Sequence, residues 1–548
     1  MNGYRTRRAT LRRYVSPGTC ITVAIAMTLT GCRSPETFSV WTPDWDAALL
    51  EADANAPVFP EAQPSDLFAA SEPFDVASGE PIELSLELIA ARALGANRDL
   101  AVQRFEPVII GTFEKLERGV FDPELFAEFN YAEQTASETD RGTGDQFSVE
   151  SADTAAELGL RQTLPTGTDV EMSVAQERDT SNRAPEQQDA RLGLTVTQQL
   201  LRGFGPAVNL ARIRQAEIGT QASRFELRGF AEALLAEAEA AYWEAALTKE
   251  QLAIVERSLA VARQQLDEVE QRIELGAAAD ADAAVARVEV SLREQATIDA
   301  DAAFRVAVFR LARLLDATPS GSIEPQRIAF VSPAATEPLA MDDLDNRLAL
   351  ARRQRPDLAE ARLRLQQDRL ETVVTRNGLL PQLEVFASLG KTGFADRFDD
   401  SFANLDEDTY DFSAELRLSR TLGNDAAEAR NRAAYATRAQ SVSAIANLEQ
   451  LVELDVHLAV TELRRAERQI EASRQTLEFQ RQTVAAERQR LEAGVSTALL
   501  LAQAERDLLE AQIDRVRAVV AYRLALIDLY LAEGTLLDRR GISVFNQP

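Results

Sequence analysis

The chain has 548 residues, 45% of them hydrophobic and 27% charged, and carries a net charge of −28 at pH 7. That acidic balance argues against nucleic acid as a partner, because a phosphate backbone is neutralised by Lys and Arg. His457 is the only histidine, and Cys20 and Cys32 are the only cysteines, so a His-containing triad, a His-rich metal site and a disulfide within the body are all argued against.

At the start of the chain, Arg5, Arg7, Arg8, Arg12 and Arg13 precede a short apolar core from Cys20 to Leu29. Leu29-Thr30-Gly31-Cys32 then resembles a bacterial lipoprotein signal, in which the peptide (1–31) is removed and the new N-terminal cysteine, Cys32, is acylated. An ordinary secretory signal with an incidental cysteine is the alternative. Arg33 stands where an Asp would favour retention at the inner membrane, so the resemblance implies an outer-membrane lipid anchor. Residues 32–81 are rich in Pro, Ala and acidic residues and read as a linker from that anchor.

Ile82 to Leu94 has the apolar spacing of an amphipathic helix. Asn97-Arg98-Asp99-Leu100 opens a second helix, which reaches about Gly119 and is stopped by Val120-Phe121-Asp122-Pro123. The period then changes from ~3.6 to 2. Leu125 to Tyr131, Phe147 to Leu164, Asp169 to Ala175 and Leu192 to Gln198 alternate as strands. Leu164-Pro165-Thr166-Gly167-Thr168 is a tight turn, whereas the stretches around 134–146 and 179–190 read as long, polar, acidic loops. Pro206 to Leu275 is one helical run of roughly 105 Å at 1.5 Å per residue. Its seam holds Leu252, Val255, Leu259, Ala262, Leu266, Val269 and Ile273, at coiled-coil spacing. The run breaks at Gly276 and returns from about Asp282 to Leu315. Short helices are expected to stack on the ends of such return helices. Three prolines between 316 and 337 mark a connector.

The second half repeats this plan. Leu344 to Arg353 is helical, Arg355-Pro356-Asp357-Leu358 restarts the chain, and Asn377-Gly378-Leu379-Leu380-Pro381 stops it. Two strands follow, Leu383 to Leu389 and Phe412 to Leu418, separated by a polar loop around 391–410. A long helix from Asn424 to Ala493 then turns at Gly494 and returns from Leu500 to Ala532. Gly276 and Gly494 are 218 positions apart, and the same shift relates Gly205 to Gly423 and Glu244 to Glu462. Ungapped equivalence over such a span indicates a duplication. Before the strands the shift is 258, so the first half holds 40 extra residues among its strands.

The implied organisation is a first repeat at 82–316, with strands about 125–199 and a long hairpin about 206–315; a connector at 317–340; a second repeat at 341–535, with strands about 383–418 and a hairpin about 424–533; and a tail at 536–548. No apolar run reaches the roughly 18–20 residues of a spanning helix, so any membrane crossing has to be a closed barrel. A tight turn at one end and long loops at the other suit such a barrel. Six strands are fewer than the eight or so of the smallest bacterial barrels, so several chains would share one.

The tips Arg272-Ile273-Glu274-Leu275-Gly276 and Arg490-Leu491-Glu492-Ala493-Gly494, the helix starts at Asn97 and Arg355, Ala241-Tyr242-Trp243-Glu244, and the passage from Gln199 to Gly205 together resemble the TolC-like outer-membrane efflux proteins. The resemblance runs from about 82 to 535. It implies a mostly α fold with β: duplicated long helical hairpins form a trimeric α-barrel joined to a shared transmembrane antiparallel β-barrel. It implies a homotrimer in contact with outer-membrane lipid and extending into the periplasm. Its tips, here Gly276, Asp280, Asp282, Gly494 and Thr497, would meet a periplasmic adaptor (membrane fusion protein) and through it an inner-membrane transporter. The family's two strands per half make a barrel of twelve. Four plus two here would make eighteen in a trimer, unless the hairpin around Leu164 to Thr168 lies outside the wall. Well-known members carry gate aspartates six and nine residues after the second tip glycine; here those positions are Leu500 and Gln503. An apolar constriction of Leu499 and Leu500 beside Gln503, closing by packing and dewetting, is expected instead.

Other signals weigh less. Gly203-Phe204-Gly205 lacks a third glycine and a βαβ setting, and reads as a strand-to-helix hinge. Asp399, Asp400, Asp406, Glu407 and Asp408 lack calcium-loop spacing and read as a solvated loop. Tyr242, Trp243 and His457 read as packing residues. The chain is expected to be a passive exit duct in a tripartite efflux or type I secretion system, without catalytic residue, metal or cofactor. The alternative is a structural or adaptor lipoprotein whose coiled-coil hairpins dock to another channel.

Overall fold

The computed structural model describes residues 82–139, 141–276, 280–315, 325–332 and 343–542. The expected signal peptide, Cys32, the linker, most of the connector and the last six residues lie outside them.

The first segment is a short strand, β1 (Ile82–Leu84), not the start of a helix. Ser85 caps the helix that follows: its Oγ accepts from the Leu88 N–H at 3.2 Å, which fixes the first turn of α1 (Leu86–Ala96) after it. Next come α2 (Arg98–Gln103) and α3 (Phe105–Arg118), split at Arg104 where one helix was expected. Pro107 has no N–H to give the Gln103 carbonyl, so the ladder lapses there. Four strands follow, β2 (Glu124–Thr139), β3 (Gln146–Leu164), β4 (Thr168–Ser181) and β5 (Gln187–Gln199).

A single turn, α4 (Pro206–Asn209), and a pause at Leu210 lead into α5 (Ala211–Glu274), 64 residues or about 96 Å long. The return helix α6 (Asp280–Leu314) has 35 residues. The connector contains a strand the sequence did not announce, β6 (Ile328–Phe330), which pairs in parallel with β1. In the second half come α7 (Leu344–Gln354), α8 (Pro356–Asn377), β7 (Gln382–Ala395), the short α9 (Phe398–Ala403), β8 (Tyr410–Ser419), the 68-residue α10 (Asp425–Glu492), α11 (Ala498–Glu533) and α12 (Leu536–Arg539).

The two halves interlock. Beside the sheet the helices lie in the order α3, α5, α8, α10; beyond them the order is α6, α5, α11, α10. The short helices stack on the return helices, as expected. Asn97 caps α2 and donates from Nδ2 to the last carbonyl of α6, Leu314, at 3.1 Å. At the matching joint Gly534, with φ +66, packs so closely on Arg355 that a Cβ would lie 2.9 Å from its Cα.

The apolar core gathers at these joints. One cluster joins Leu84, Ile89, Leu235, Tyr242, Phe304 and Leu311; another joins Leu358, Val456, Leu463 and Leu529. Tyr242 donates to the Leu84 carbonyl at 3.3 Å and accepts from the Ser332 N–H, and its ring meets Trp243 edge-on at 5.2 Å. Both aromatics are therefore packing residues. His457, read as one too, stands exposed on this chain's surface.

Candidate functional site

All six long strands form one antiparallel sheet in the order β2-β3-β4-β5-β7-β8. The hairpin β3–β4 belongs to this sheet, where it stands between β2 and β5. The strands are also longer than their apolar cores suggested. Much of the stretches read as acidic loops is strand: β2 reaches Thr139, β3 begins at Gln146, β4 reaches Ser181 and β5 begins at Gln187. The last loop holds α9 and a 3₁₀ turn, Asn404–Asp406, rather than open coil.

The register sorts side chains onto two faces, because alternate residues of a strand point opposite ways. Leu125, Leu160, Met172, Leu194, Leu389 and Phe412 are successive cross-strand partners across the whole sheet. The next row is Ala127, Leu158, Val174, Leu192, Lys391 and Tyr410. The large apolar members of these rows are exposed: Leu125 is 72% accessible, Met172 55% and Phe412 64%. The same face runs from Leu164 to Ala156 on β3, about 26 Å of strand at ~3.3 Å per residue, with Gln162, Thr168, Gln176 and Gln198 as polar members of its other rows. The opposite face is polar. Glu128 faces Glu157, Asp153 faces Asp179, and Glu177 faces Asp189. Arg191 holds Asp411 there through two bonds of 3.1 and 2.9 Å and reaches Ser388 at 2.9 Å.

One end of the sheet carries every connection to α3, α4, α8 and α10, together with the tight turn. Gly167, at φ +80, packs its backbone on the hinge: a Cβ there would lie 2.2 Å from the Gly203 carbonyl oxygen. Asn209 donates to the carbonyls of Pro165 and Gly203, and Asn377 accepts from the Gly203 N–H at 2.8 Å. Gly203 and Gly205, with φ of +84 and +91, make the expected hinge from strand to helix.

Both hairpins run the same way from the sheet, so their tips share the far end. Gly276 and Gly494 take φ of +71 and +76, and a Cβ at either would meet nothing. Glycine is favoured there by the left-handed backbone alone. The second tip closes with the Val495 N–H donating to the Arg490 carbonyl and the Gly494 N–H to Leu491. Thr497 then caps α11, its Oγ1 accepting from the Leu500 N–H at 3.4 Å. Asp280 and Asp282 sit in the first turn of α6, where a helix N-terminus favours negative charge. Leu499, Leu500 and Gln503 share an exposed face of α11, turned away from the buried Leu501, Ala502 and Ala504. Behind the tips a polar layer joins the hairpins. Gln265 donates to Glu505 at 2.5 Å, and Arg506 faces Glu289 at 3.6 Å. Burial lowers the pKa of Arg293 in that layer.

Among the described residues no helix is long and apolar enough to cross a membrane, and no cluster of His, Cys, Asp and Glu is arranged to hold a metal ion.

Residues 348–535 match the family described as outer membrane efflux protein. In fold, the chain is similar to the outer-membrane channel OprN, at 18% identity and a TM-score of 0.62, over 82% of this chain and 89% of that one. It is similar to VceC of Vibrio cholerae, at 16% identity and a TM-score of 0.60, over 82% and 96%. CusC gives 16% identity and a TM-score of 0.59 over 88% and 99%. No curated protein sequence matches the chain.

Proposed function

We propose that this chain, which has the fold of the TolC-like outer-membrane efflux channels and an outer membrane efflux protein signature over 348–535, is one protomer of a trimeric exit duct across the outer membrane and periplasm. The observation that carries this reading is the two-faced sheet. A largely apolar face over six strands suits lipid, and a charged opposite face suits a water-filled lumen. Helices of roughly 100 Å running from one edge suit a passage through the periplasm.

In this reading 1–31 is the signal peptide, Cys32 carries the lipid, and 32–81 spans from anchor to body. The repeats 82–316 and 341–535 each supply part of the β-wall and one long hairpin, joined by 317–340 and followed by the tail 536–548. The tips around Gly276, Asp280, Asp282, Gly494 and Thr497 meet a periplasmic adaptor attached to an inner-membrane transporter. Leu499, Leu500 and Gln503 line the constriction. The duct is passive; its partner supplies the energy.

Membrane extraction followed by mass measurement tests the reading. A trimer released only by detergent, which opens conducting pores in planar bilayers, is expected. A water-soluble monomer without conductance would overturn it and favour the adaptor alternative.

A further inference from the structure

We infer that the β3–β4 hairpin is a full part of the membrane wall, so that three copies close a barrel of eighteen strands rather than twelve; this rests on the trimeric-duct reading above. The 40 extra residues of the first half fall between β2 and β5, which correspond to β7 and β8 of the second. Without the extra hairpin β2 and β5 would pair directly, as β7 and β8 do. Instead every residue of β2 pairs with β3, and β4 pairs with β5 from Thr168–Gln198 to Asp179–Gln187.

The hairpin also continues both faces of the sheet. Leu158 opposite Val174 and Leu160 opposite Met172 extend the apolar rows between β2 and β5 without a gap. On the other side, Glu157 and Asp153 of β3 and Asp179 of β4 belong to the charged face. A hairpin lying in the lumen would meet water on both sides and would have no use for a row of exposed leucines.

The circumference agrees. Six strands ~4.8 Å apart and tilted ~40° occupy roughly 38 Å of wall per copy. Four helices at about 9–10 Å spacing, the width of this chain's helical layer, occupy roughly the same. Four strands at the same tilt would span only about 25 Å and would match the helical layer only by tilting much more steeply. The free edges fit closure too. β2 runs away from the helices and β8 toward them, so β8 of one copy meets β2 of the next in the antiparallel sense used throughout the sheet. The exit is therefore as wide as the helical barrel beneath it.

The test uses the full chain in vesicles of phosphatidylcholine with brominated acyl chains, each variant carrying a fluorophore on one introduced cysteine. Leu158→Cys and Val174→Cys report the hairpin, Leu192→Cys and Leu416→Cys two strands outside it (β5 and β8), and Glu157→Cys the charged face. Quenching at 158 and 174 within about twofold of that at 192 and 416, with 157 unquenched, is expected. Quenching at 192 and 416 but not at 158 and 174 removes the hairpin from the wall, overturning the eighteen strands while the duct stands. Quenching at 157 equal to that at 158 overturns the two-faced assignment. No quenching at any position removes the sheet from lipid, and both readings fall.

Discussion

Arg540 reaches Glu239 across 301 residues of sequence, and its guanidinium gives the carboxylate two hydrogen bonds of 2.6 Å. Glu239 is fully buried in α5, while the Arg540 side chain remains about one-third exposed. The pair fastens the C-terminal end of the chain to the first long helix, next to the aromatic core around Tyr242. A second clamp lies nearby, where buried Glu533 receives Arg347 at 2.5 Å and Arg539 at 3.1 Å.

Arg540→Ala leaves the Glu239 charge buried without its partner. Removing one member of such a pair costs about 3 kcal/mol or more. Glu239→Gln removes the charge itself and should cost clearly less. Thermal unfolding of the detergent-solubilised protein would rank the two. Equal Tm values for both variants and the wild type would show that the clamp contributes nothing.

A second prediction concerns the joint between turn and hinge. At Gly167 a Cβ would collide with the Gly203 carbonyl and φ is +80, so Gly167→Ala faces both a clash and backbone strain. The sheet would have to shift off the hinge, and the strands would lose their placement over the helices. For the proposed duct, a sharp fall in the yield of assembled protein in the membrane fraction is expected, read on gels of extracted membranes. Gly276→Ala carries the strain without the clash and should assemble much more nearly like wild type. Equal yields for the two variants would remove the close approach from the explanation.

The helical plan was legible because its signals are strong and local. Glycine breaks at 276 and 494 close 64- and 68-residue helices, and the restart at Arg355-Pro356 places proline where its missing N–H costs nothing. The inner edge of the sheet was legible for the same reason, through Pro165 and Gly167. The strand ends were not. A strand segment whose two faces are both polar keeps no alternation of apolar residues, so Ala132 to Thr139 and Asp179 to Ser181, built from acids, amides, hydroxyls and alanine, read as loop. The β1–β6 pair was hidden because three-residue strands have too little pattern and their partners are 246 positions apart. The place of the β3–β4 hairpin in the sheet was a matter of pairing, which no single segment records.

Glu232 yields a pH prediction. It is buried on α5, and that burial pushes its carboxyl up from 4.5 to about 7. Arg228, 3.5 Å away, opposes the shift, as does Arg355, while Asp538 adds to it. A carboxyl whose folded pKa is raised contributes stability that is complete below about 4.5 and is lost as pH rises through about 7. The difference amounts to about 3 kcal/mol at 1.36 kcal/mol per pH unit. Glu232→Gln should remove that dependence. The wild-type Tm minus the variant Tm should therefore fall between pH 4.5 and 7 and level off above. A difference that stays constant over this range would assign the pH response to other groups.

The last prediction concerns closure at the tips. Leu499 and Leu500 are each about half exposed on α11, just beyond the Thr497 cap, with Gln503 one turn on. Thr497 fixes the start of the helix and so fixes the direction of this face. If the face lines the constriction, closure comes from apolar side chains that exclude water rather than from a ring of carboxylates. Leu500→Asp would then place three like charges around a narrow path in the trimer. Their repulsion and hydration should raise the closed-state leak in planar bilayers severalfold and create a block by divalent cations that the wild type lacks. Asp282→Asn, on the other hairpin, serves as the comparison, since it alters charge at the tips without touching the apolar pair. Leak and divalent block unchanged in Leu500→Asp would place the constriction elsewhere, and a larger change in Asp282→Asn would move it to the first tip.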